Sequence, residues 1–289
     1  MNMSKISPAV SVELKQFKEN SKYLKNGIPV IPIDQVRYLS QKYNLSPREI
    51  EIAALQEEIM PARYHRNYHT ISFTEQIKLL CSKVAVIGCG GLGGSIIELL
   101  ARMGIGSITA IDGDIFKESN LNRQLLSSEK NIGTGKAETA VSRIRDINSS
   151  IEARAYPQFI DANNISKMIQ DVDLALDALD NIPARFILED ACKKLNKIFI
   201  HGAINGLQGQ VSTIFPEDKG LETIYGPSER YQNHHQAAPL SVISVTPALI
   251  ASLQVTEALK ILLNKGKPFR NKLLLVNLEE PEFNVLEII

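Results

Sequence analysis

Residues 83–136 read KVAVIGCGGLGGSIIELLARMGIGSITAIDGDIFKESNLNRQLLSSEKNIGTGK, and the fold follows from this stretch. An apolar run from Lys83 to Ile87 leads straight into Gly88, Gly90, Gly91 and Gly93. A helical segment follows, then a second apolar strand over 108–112 that ends on Asp112. Strand, glycine turn, helix and strand, with an acidic residue about 20 positions further on, make a βαβ unit suited to a nucleotide. The glycines let the backbone turn tightly and approach phosphate. The helix N-terminus adds free N–H groups and roughly half a positive charge. The Asp112 carboxylate is placed to accept both ribose hydroxyls. NAD and ATP satisfy this unit equally well.

The next residues separate the two. Asn120-Leu121-Asn122-Arg123-Gln124 follows the second strand, and Gly135-Lys136 opens the next helix. Hydride transfer wants neutral, apolar surroundings for a nicotinamide and has no use for a fixed Arg and Lys beside the pyrophosphate. An enzyme that breaks a triphosphate does use them, because charge develops on phosphoryl oxygens in the transition state. Arginine offers phosphate a planar fork, and lysine a mobile point charge. Asp180, and less directly Asp114, are candidate Mg²⁺ ligands, since that ion takes one or two carboxylates plus phosphate oxygens.

Taken together, these motifs resemble those of the ubiquitin-activating-enzyme-like adenylyltransferases, the ThiF/MoeB/HesA superfamily. The matching residues are Gly88 to Gly93, Asp112-Gly113-Asp114, Asn120 to Gln124, Gly135-Lys136 and Leu179-Asp180-Asn181. Upstream, Arg63-Tyr64-His65-Arg66-Asn67 is similar to the family's opening motif, with Asn67 where Gln is usual. Downstream, Ser252-Leu253-Gln254 and Glu257-Ala258-Leu259-Lys260 match its late helix. The resemblance spans residues 60–289.

It implies ATP-dependent adenylylation, with Mg²⁺, of the C-terminal carboxylate of a small ubiquitin-like sulfur-carrier protein ending in Gly-Gly. Molybdopterin or thiamin biosynthesis would be the setting. Asp112 would hold the ribose, Arg123 and Lys136 the phosphates, and Asp180 the metal. Asn120, Gln124 and Asn181 would join the nucleotide site, and Arg66 would reach across a homodimer interface. Two departures matter. The chain has no C-x-x-C pair, so the structural zinc of many relatives is not expected. Residues 216–240, the crossover loop, hold no cysteine, so the chain is expected to make an acyl-adenylate and stop. Alternatives are adenylylation of a ribosomal peptide, as in microcin maturation, a nicotinamide-dependent oxidoreductase, and a nucleotide-binding scaffold without turnover.

Composition sets outer bounds. The 289 residues are 44% hydrophobic and 22% charged, ordinary for a globular chain. Lys and Arg total 32, as do Asp and Glu, which argues against a bulk electrostatic partner such as DNA or an anionic membrane. No apolar run reads as a transmembrane helix, and the first residues lack the apolar core of a signal peptide. Cys81, Cys89 and Cys192 are scattered and imply no disulfide framework. A cytoplasmic protein is expected.

Residues 1–60 read as a small helical appendage. Asp34 is a candidate cap for one helix, and Ser46-Pro47-Arg48-Glu49 is a capping box with Pro at the first helical position. The pair could mimic a helix-turn-helix, but the acidic balance of 30–60 suits DNA poorly. Residues 61–289 form the adenylation domain: a nucleotide-binding half over 83–215, the crossover loop, and a helix with closing strands over 241–289. Strands over 153–156, 174–176 and 198–201 alternate with helices over 136–148 and 182–195, which predicts a Rossmann-like, doubly wound, mainly parallel α/β sheet. Strands over 210–215, 272–278 and 283–289 close the chain as its antiparallel part. Residues 241–263 are expected to be helical and buried on most sides, with a kink at Pro247. His234 and His235 are left without an assigned role.

Overall fold

The computed structural model describes residues 8–20, 24–25, 27–231 and 241–288. His234 and His235 therefore lie outside the described residues.

The N-terminal segment holds α1 (Pro8–Glu19), β1 (Leu24–Lys25), β2 (Ile28–Ile31), α2 (Ile33–Tyr43), α3 (Pro47–Gln56) and β3 (Met60–Pro61). It is more than helical, because its strands form a sheet in the order β1-β2-β3. The capping box is present: Ser46 Oγ accepts the Glu49 N–H and Glu49 Oε2 accepts the Ser46 N–H at 2.8 Å. Asp34 does not cap α2. Pro32 occupies the cap position, and Asp34 sits in the first turn, where its charge suits the helix dipole. Val10, Leu14, Ile31, Val36, Leu39 and Ile50 pack as one cluster in this segment. A second cluster of Leu55, Met60, Tyr64 and Leu80 ties it to the rest of the chain. Arg48 Nη1 also donates to the Gly106 carbonyl at 2.6 Å, and Asn148 Nδ2 to the Tyr64 hydroxyl at 2.7 Å.

The body contains α4 (Phe73–Cys81), β4 (Lys83–Ile87), α5 (Gly91–Met103), β5 (Ser107–Ile111), α6 (Lys136–Ile147), β6 (Glu152–Tyr156), α7 (Ile165–Ile169), β7 (Leu174–Asp177), α8 (Ile182–Lys194), β8 (Ile198–Asn205), β9 (Gln208–Ile214), α9 (Glu222–Tyr225), α10 (Val245–Leu263), β10 (Lys272–Asn277) and β11 (Glu282–Glu287). One sheet runs β11-β10-β9-β8-β7-β4-β5-β6. Strands β8, β7, β4, β5 and β6 pair in parallel, and β9, β10 and β11 pair antiparallel. From β4 the chain moves outward to β5 and β6, then returns to place β7 on the other side of β4. The crevice beyond the carboxyl ends of β4 and β7 is thus a topological switch point, where ligands bind in such sheets.

Both sheet faces are covered. One carries Val84, Val86, Ile96, Leu100, Ile250 and Val255, and the other Ala85, Ile87, Ile111, Leu188, Phe199 and Ile214. The glycine turn is compelled by space. Gly88 has φ of +95°, and a Cβ there would lie 2.5 Å from the Ala178 carbonyl oxygen. A Cβ on Gly93 would lie 1.8 Å from the Gly88 carbonyl oxygen, so any side chain would push α5 off the turn.

Three expectations for the late helix need correction. Residues 241–244 stay outside it, because their backbone is engaged elsewhere: Ser241 O accepts from Gly206 N at 2.6 Å and Val242 O from Asn122 Nδ2 at 3.1 Å. Pro247 falls in the first turn of α10, after the N-cap Ser244, where a missing N–H breaks no intrahelical hydrogen bond, so it does not interrupt the helix. By length and composition, α10 is apolar enough to cross a membrane. Here it lies on α5 and the sheet, with Gln254 and Glu257 buried.

Candidate active site

A cavity of about 430 Å³ opens at the switch point. Its wall is built from the ends of β4, β5 and β7 and the loops behind them. Gly88, Gly90, Gly91, Asp112, Asp114, Arg123, Gln124, Lys136, Asp180 and Asn181 all reach it. Thus ten of the twelve residues expected at a nucleotide gather in one place.

Each is held by local chemistry. Asp112 Oδ2 accepts the Cys89 N–H at 2.7 Å and Oδ1 accepts the Asp114 N–H at 2.8 Å, which fixes the carboxylate against the turn. Lys136, at the start of α6, is 8% exposed and donates Nζ to Asp114 Oδ2 at 2.8 Å. Burial presses the Asp114 pKa up, but Lys136 and the Ile115 N–H outweigh it and hold the carboxyl below its ordinary range. Asp114 is therefore the counter-ion of Lys136, which makes it the poorer of the two candidate metal ligands. Arg123 is anchored by Nη1 to Ser119 O at 3.0 Å and Asn122 Oδ1 at 2.8 Å, beside Gly91. Gln124 is buried, and among the described residues its Oε1 has no hydrogen-bond partner.

After β7, Asn181 rather than Asp180 caps α8, its Oδ1 accepting the Ala184 N–H at 2.9 Å. Asp180 is exposed on the wall and accepts from Asn181 Nδ2 at 3.2 Å. An exposed carboxylate that forms no salt bridge among the described residues fits a magnesium ion shared with phosphate oxygens. Among the described residues no group of three or more His, Cys, Asp or Glu is placed to hold a metal by itself.

Two nucleotide candidates sit elsewhere. Asn120 is buried behind its own turn, with Oδ1 accepting the Lys117 N–H at 2.9 Å, and does not reach the wall. Gly93 is also off the wall, and its lack of a side chain serves helix packing. Arg66 lies exposed in the 3-10 turn Ala62–Asn67, away from this chain's cavity. Cys89 and Cys192 are buried; burial pushes the Cys89 thiol well up and the Cys192 thiol up to about 12. Cys81 ends α4, its pKa also raised by burial.

A polar cluster absent from the sequence reading lies beneath the wall. Asp177, at the end of β7, is fully buried and accepts from His201 Nδ1 at 2.7 Å and from the Leu179 N–H at 2.9 Å. His201 Nε2 faces Gln210 Nε2 at 3.0 Å and the Tyr225 hydroxyl at 3.1 Å. Arg185, on the first turns of α8, donates to the Tyr225 hydroxyl at 2.9 Å and to the Leu179 carbonyl at 2.6 Å. Its Nε lies 3.3 Å from Asp177 Oδ2. Burial drives the His201 pKa down despite the adjacent Asp177. One sequence signal existed: Asp177 is a charged residue ending the apolar strand β7, and a fully buried Asp is rare in a core.

A second cavity of about 460 Å³ adjoins the first and shares Asp180, Asn181, Arg185, Ala203 and Ile204 with it. The ThiF family profile matches residues 64–288, from Tyr64 through the closing strands. The chain belongs to the ThiF family. Among curated relatives of this ThiF-family chain, the SAMP-activating enzyme E1 of Haloferax volcanii is 31% identical over 211 residues, covering 73% of this chain and 78% of that protein. The sulfur carrier protein adenylyltransferase of Thermus thermophilus is 33% identical over 236 residues, covering 78% and 86%. Among solved structures, Escherichia coli MccB with MccA aligns with a TM-score of 0.68 at 20% identity, over 88% of this chain and 82% of that one. The crystal structure of PaaA aligns with a TM-score of 0.64 at 18% identity over 98% of this chain and 83% of that one. These two likenesses establish the fold.

Proposed function

We propose that this ThiF-family chain is an ATP-dependent adenylyltransferase that activates the C-terminal carboxylate of a ubiquitin-like sulfur-carrier protein ending in Gly-Gly. The carrying observation is the convergence of Asp112, Arg123 and Lys136 with the glycine turn on one cavity. The names of the two curated relatives support the carrier as acceptor.

The residues divide the work by charge. Asp112 holds the ribose, which leaves the base against Gln158, Phe159 and Ile160. The N–H groups at the start of α5, with Arg123 and Lys136, take the phosphates. As the carboxylate attacks the α-phosphorus and pyrophosphate departs, negative charge grows on the leaving oxygens. Cations fixed beforehand stabilise that charge without reorganising. Asp180 would hold magnesium, which when bound neutralises phosphate charge and orients the triphosphate. No protein nucleophile is needed, so raised thiol pKa values do not impede the step.

A homodimer belongs to the same proposal. Val245, Leu249 and Leu253 recur at i, i+4 and i+8 on α10 and are left partly exposed by the chain's own core. A second copy covering this stripe could bring its Arg66 to the triphosphate. Adenylylation of a ribosomal peptide is the second reading. It is suggested by the likeness to MccB, the Microcin C7 biosynthetic enzyme solved with N-formylated MccA, over 88% of this chain. Pyrophosphate exchange into ATP tests both: a Gly-Gly carrier should support it, and exchange only with a peptide acceptor would select the second reading.

A further inference from the structure

Five residues line both cavities, and Arg185 is the one cation among them. Arg123 and Lys136 reach the first cavity only. Arg185 is 7% exposed, and its donors are unequally used. One N–H goes to Tyr225 and one to the Leu179 carbonyl, and Nε makes no aligned hydrogen bond despite lying near Asp177. A guanidinium carries five N–H groups, so one on each terminal nitrogen stays open. Asp177, its nearest counter-charge, is already shared with His201.

The surrounding hydrogen bonds all point one way. The Asp177 carboxylate takes the His201 Nδ1 proton, which leaves Nε2 as an acceptor. Tyr225 then donates to Nε2, and its oxygen accepts from Arg185 and from Gln210 at 2.8 Å. Five elements, β7, β8, β9, α8 and α9, are tied by this chain to one guanidinium.

The second cavity complements an extended peptide. Asn181, Asn205, Gln208, Gln210, Asn277 and Asn284 line it, and each carboxamide offers both donors and an acceptor to peptide groups. Among the described residues, Asp180 and Arg185 carry the charge on its wall.

We propose that Arg185 receives the acceptor's terminal carboxylate at the seam of the two cavities, and that Asp177, His201, Tyr225 and Gln210 are positioning residues that hold it there. The assignment rests on the adenylation reading. One carboxylate oxygen stays on the guanidinium while the other forms the bond to the α-phosphorus. The bond from that phosphorus to the bridging oxygen breaks, and pyrophosphate leaves with the electron pair.

The test compares wild type, Arg185→Gln, Arg185→Lys and Tyr225→Phe. Calorimetry with a non-hydrolysable ATP analogue present uses a short peptide ending in Gly-Gly as free acid and as C-terminal amide; pyrophosphate exchange uses a full-length Gly-Gly carrier. The acid should bind wild type roughly 10- to 100-fold tighter than the amide, the scale of a charge-assisted hydrogen bond, and Arg185→Gln should abolish that preference. The carrier KM should rise by a similar factor in Arg185→Gln, while nucleotide affinity stays within about threefold. Arg185→Lys should recover part of the preference, and Tyr225→Phe should fall between wild type and Arg185→Gln. If Arg185→Gln does not fold, Tyr225→Phe and Arg185→Lys decide. An acid preference equal in wild type and variants, or none in a wild type that exchanges pyrophosphate, overturns the assignment alone. A wild type that exchanges with no carboxylate acceptor removes the adenylation reading itself.

Discussion

Lys136→Met separates the ammonium's catalytic part from its structural one. Methionine keeps an unbranched stem in a site only 8% exposed, so the packing loss is small. Removing the ion pair leaves Asp114 about a third exposed, with its Ile115 N–H still in place. A pair so placed contributes about 1 kcal/mol or less, which for a chain of this size moves Tm by roughly 2–4 °C. The catalytic term is larger. A fixed charge on the developing phosphoryl oxygens contributes about 2.7–4 kcal/mol, or roughly 10²–10³ in rate. Pyrophosphate exchange with a carrier, beside thermal unfolding, reads both. Asp114→Asn frees the ammonium instead of removing it, and should lower exchange by about tenfold or less. The double variant should match Lys136→Met within about threefold, because the two residues act through one charge. A folded Lys136→Met protein within tenfold of wild type would refute the phosphate role. Asp114→Asn as damaging as Lys136→Met would instead make Asp114 a metal ligand in its own right.

Three further outcomes are expected. Light scattering at micromolar concentration should give a dimer mass, and mixing inactive Lys136→Met with inactive Arg66→Ala should restore part of the exchange; a monomer with full activity would sink the shared-site proposal. Wild type with ATP and carrier should give no reductant-sensitive adduct on a non-reducing gel, since Cys89 and Cys192 are buried with raised pKa values; a band lost in one Cys→Ala variant would contradict this. The folded-state pKa of His201 lies below its ordinary 6.5, so the unfolded chain takes up the proton first as pH drops. The stability linked to neutral His201 is full above about 6.5 and is lost as pH falls through the folded value. Tm should therefore drop more from pH 8 to pH 5.5 in wild type than in His201→Gln, and equal drops would argue against a buried neutral ring.

Most of the parallel half of the sheet was legible because β4, β5 and β7 are short apolar runs, each followed or ended by Gly or Asp, and the helices between them have clear starts; β6, Glu152–Tyr156, is no apolar run and was legible only from its place after α6. The lining of the first cavity was legible for a related reason: Gly88, Gly90, Gly91, Asp112, Arg123 and Lys136 belong to consecutive loops of one βαβ stretch. Contiguity also misled. Asn120 sits in the same motif as Arg123, yet a 3-10 turn folds its carboxamide back onto the Lys117 N–H. The N-terminal strands were not legible. Leu24–Lys25 and Met60–Pro61 are two residues each, too short to show a period, and exist because β2 pairs with both. Helix α4 did carry a signal, the Ser72 and Glu75 capping box, which has the same form as the one at Ser46. Beyond Asp177 at the end of β7, the cluster around Arg185 had no local pattern, since its members are spread from Asp177 to Tyr225. Sheet pairing brings His201 and Gln210 together across β8 and β9, and only α9 delivers Tyr225.

That last contact bears on how the crossover segment is held. Its opening is fixed without any cysteine. Leu221 is fully buried, and its N–H donates to Glu189 Oε1 on α8 at 2.9 Å. Lys193 lies 3.1 Å from the same oxygen, and the Lys219 carbonyl accepts from Lys193 Nζ at 2.9 Å. Glu189 is buried at this junction, and burial raises its pKa. Helix α8 therefore carries Arg185 near its start and clamps the crossover segment further along, and Tyr225 closes the loop back onto Arg185. A shift of α8 would move the capping Asn181, the seam cation and the root of the crossover segment together. On the proposed role of Arg185, the acceptor's carboxylate and the opening of the crossover segment around Leu221 and Tyr225 are thus both placed by α8.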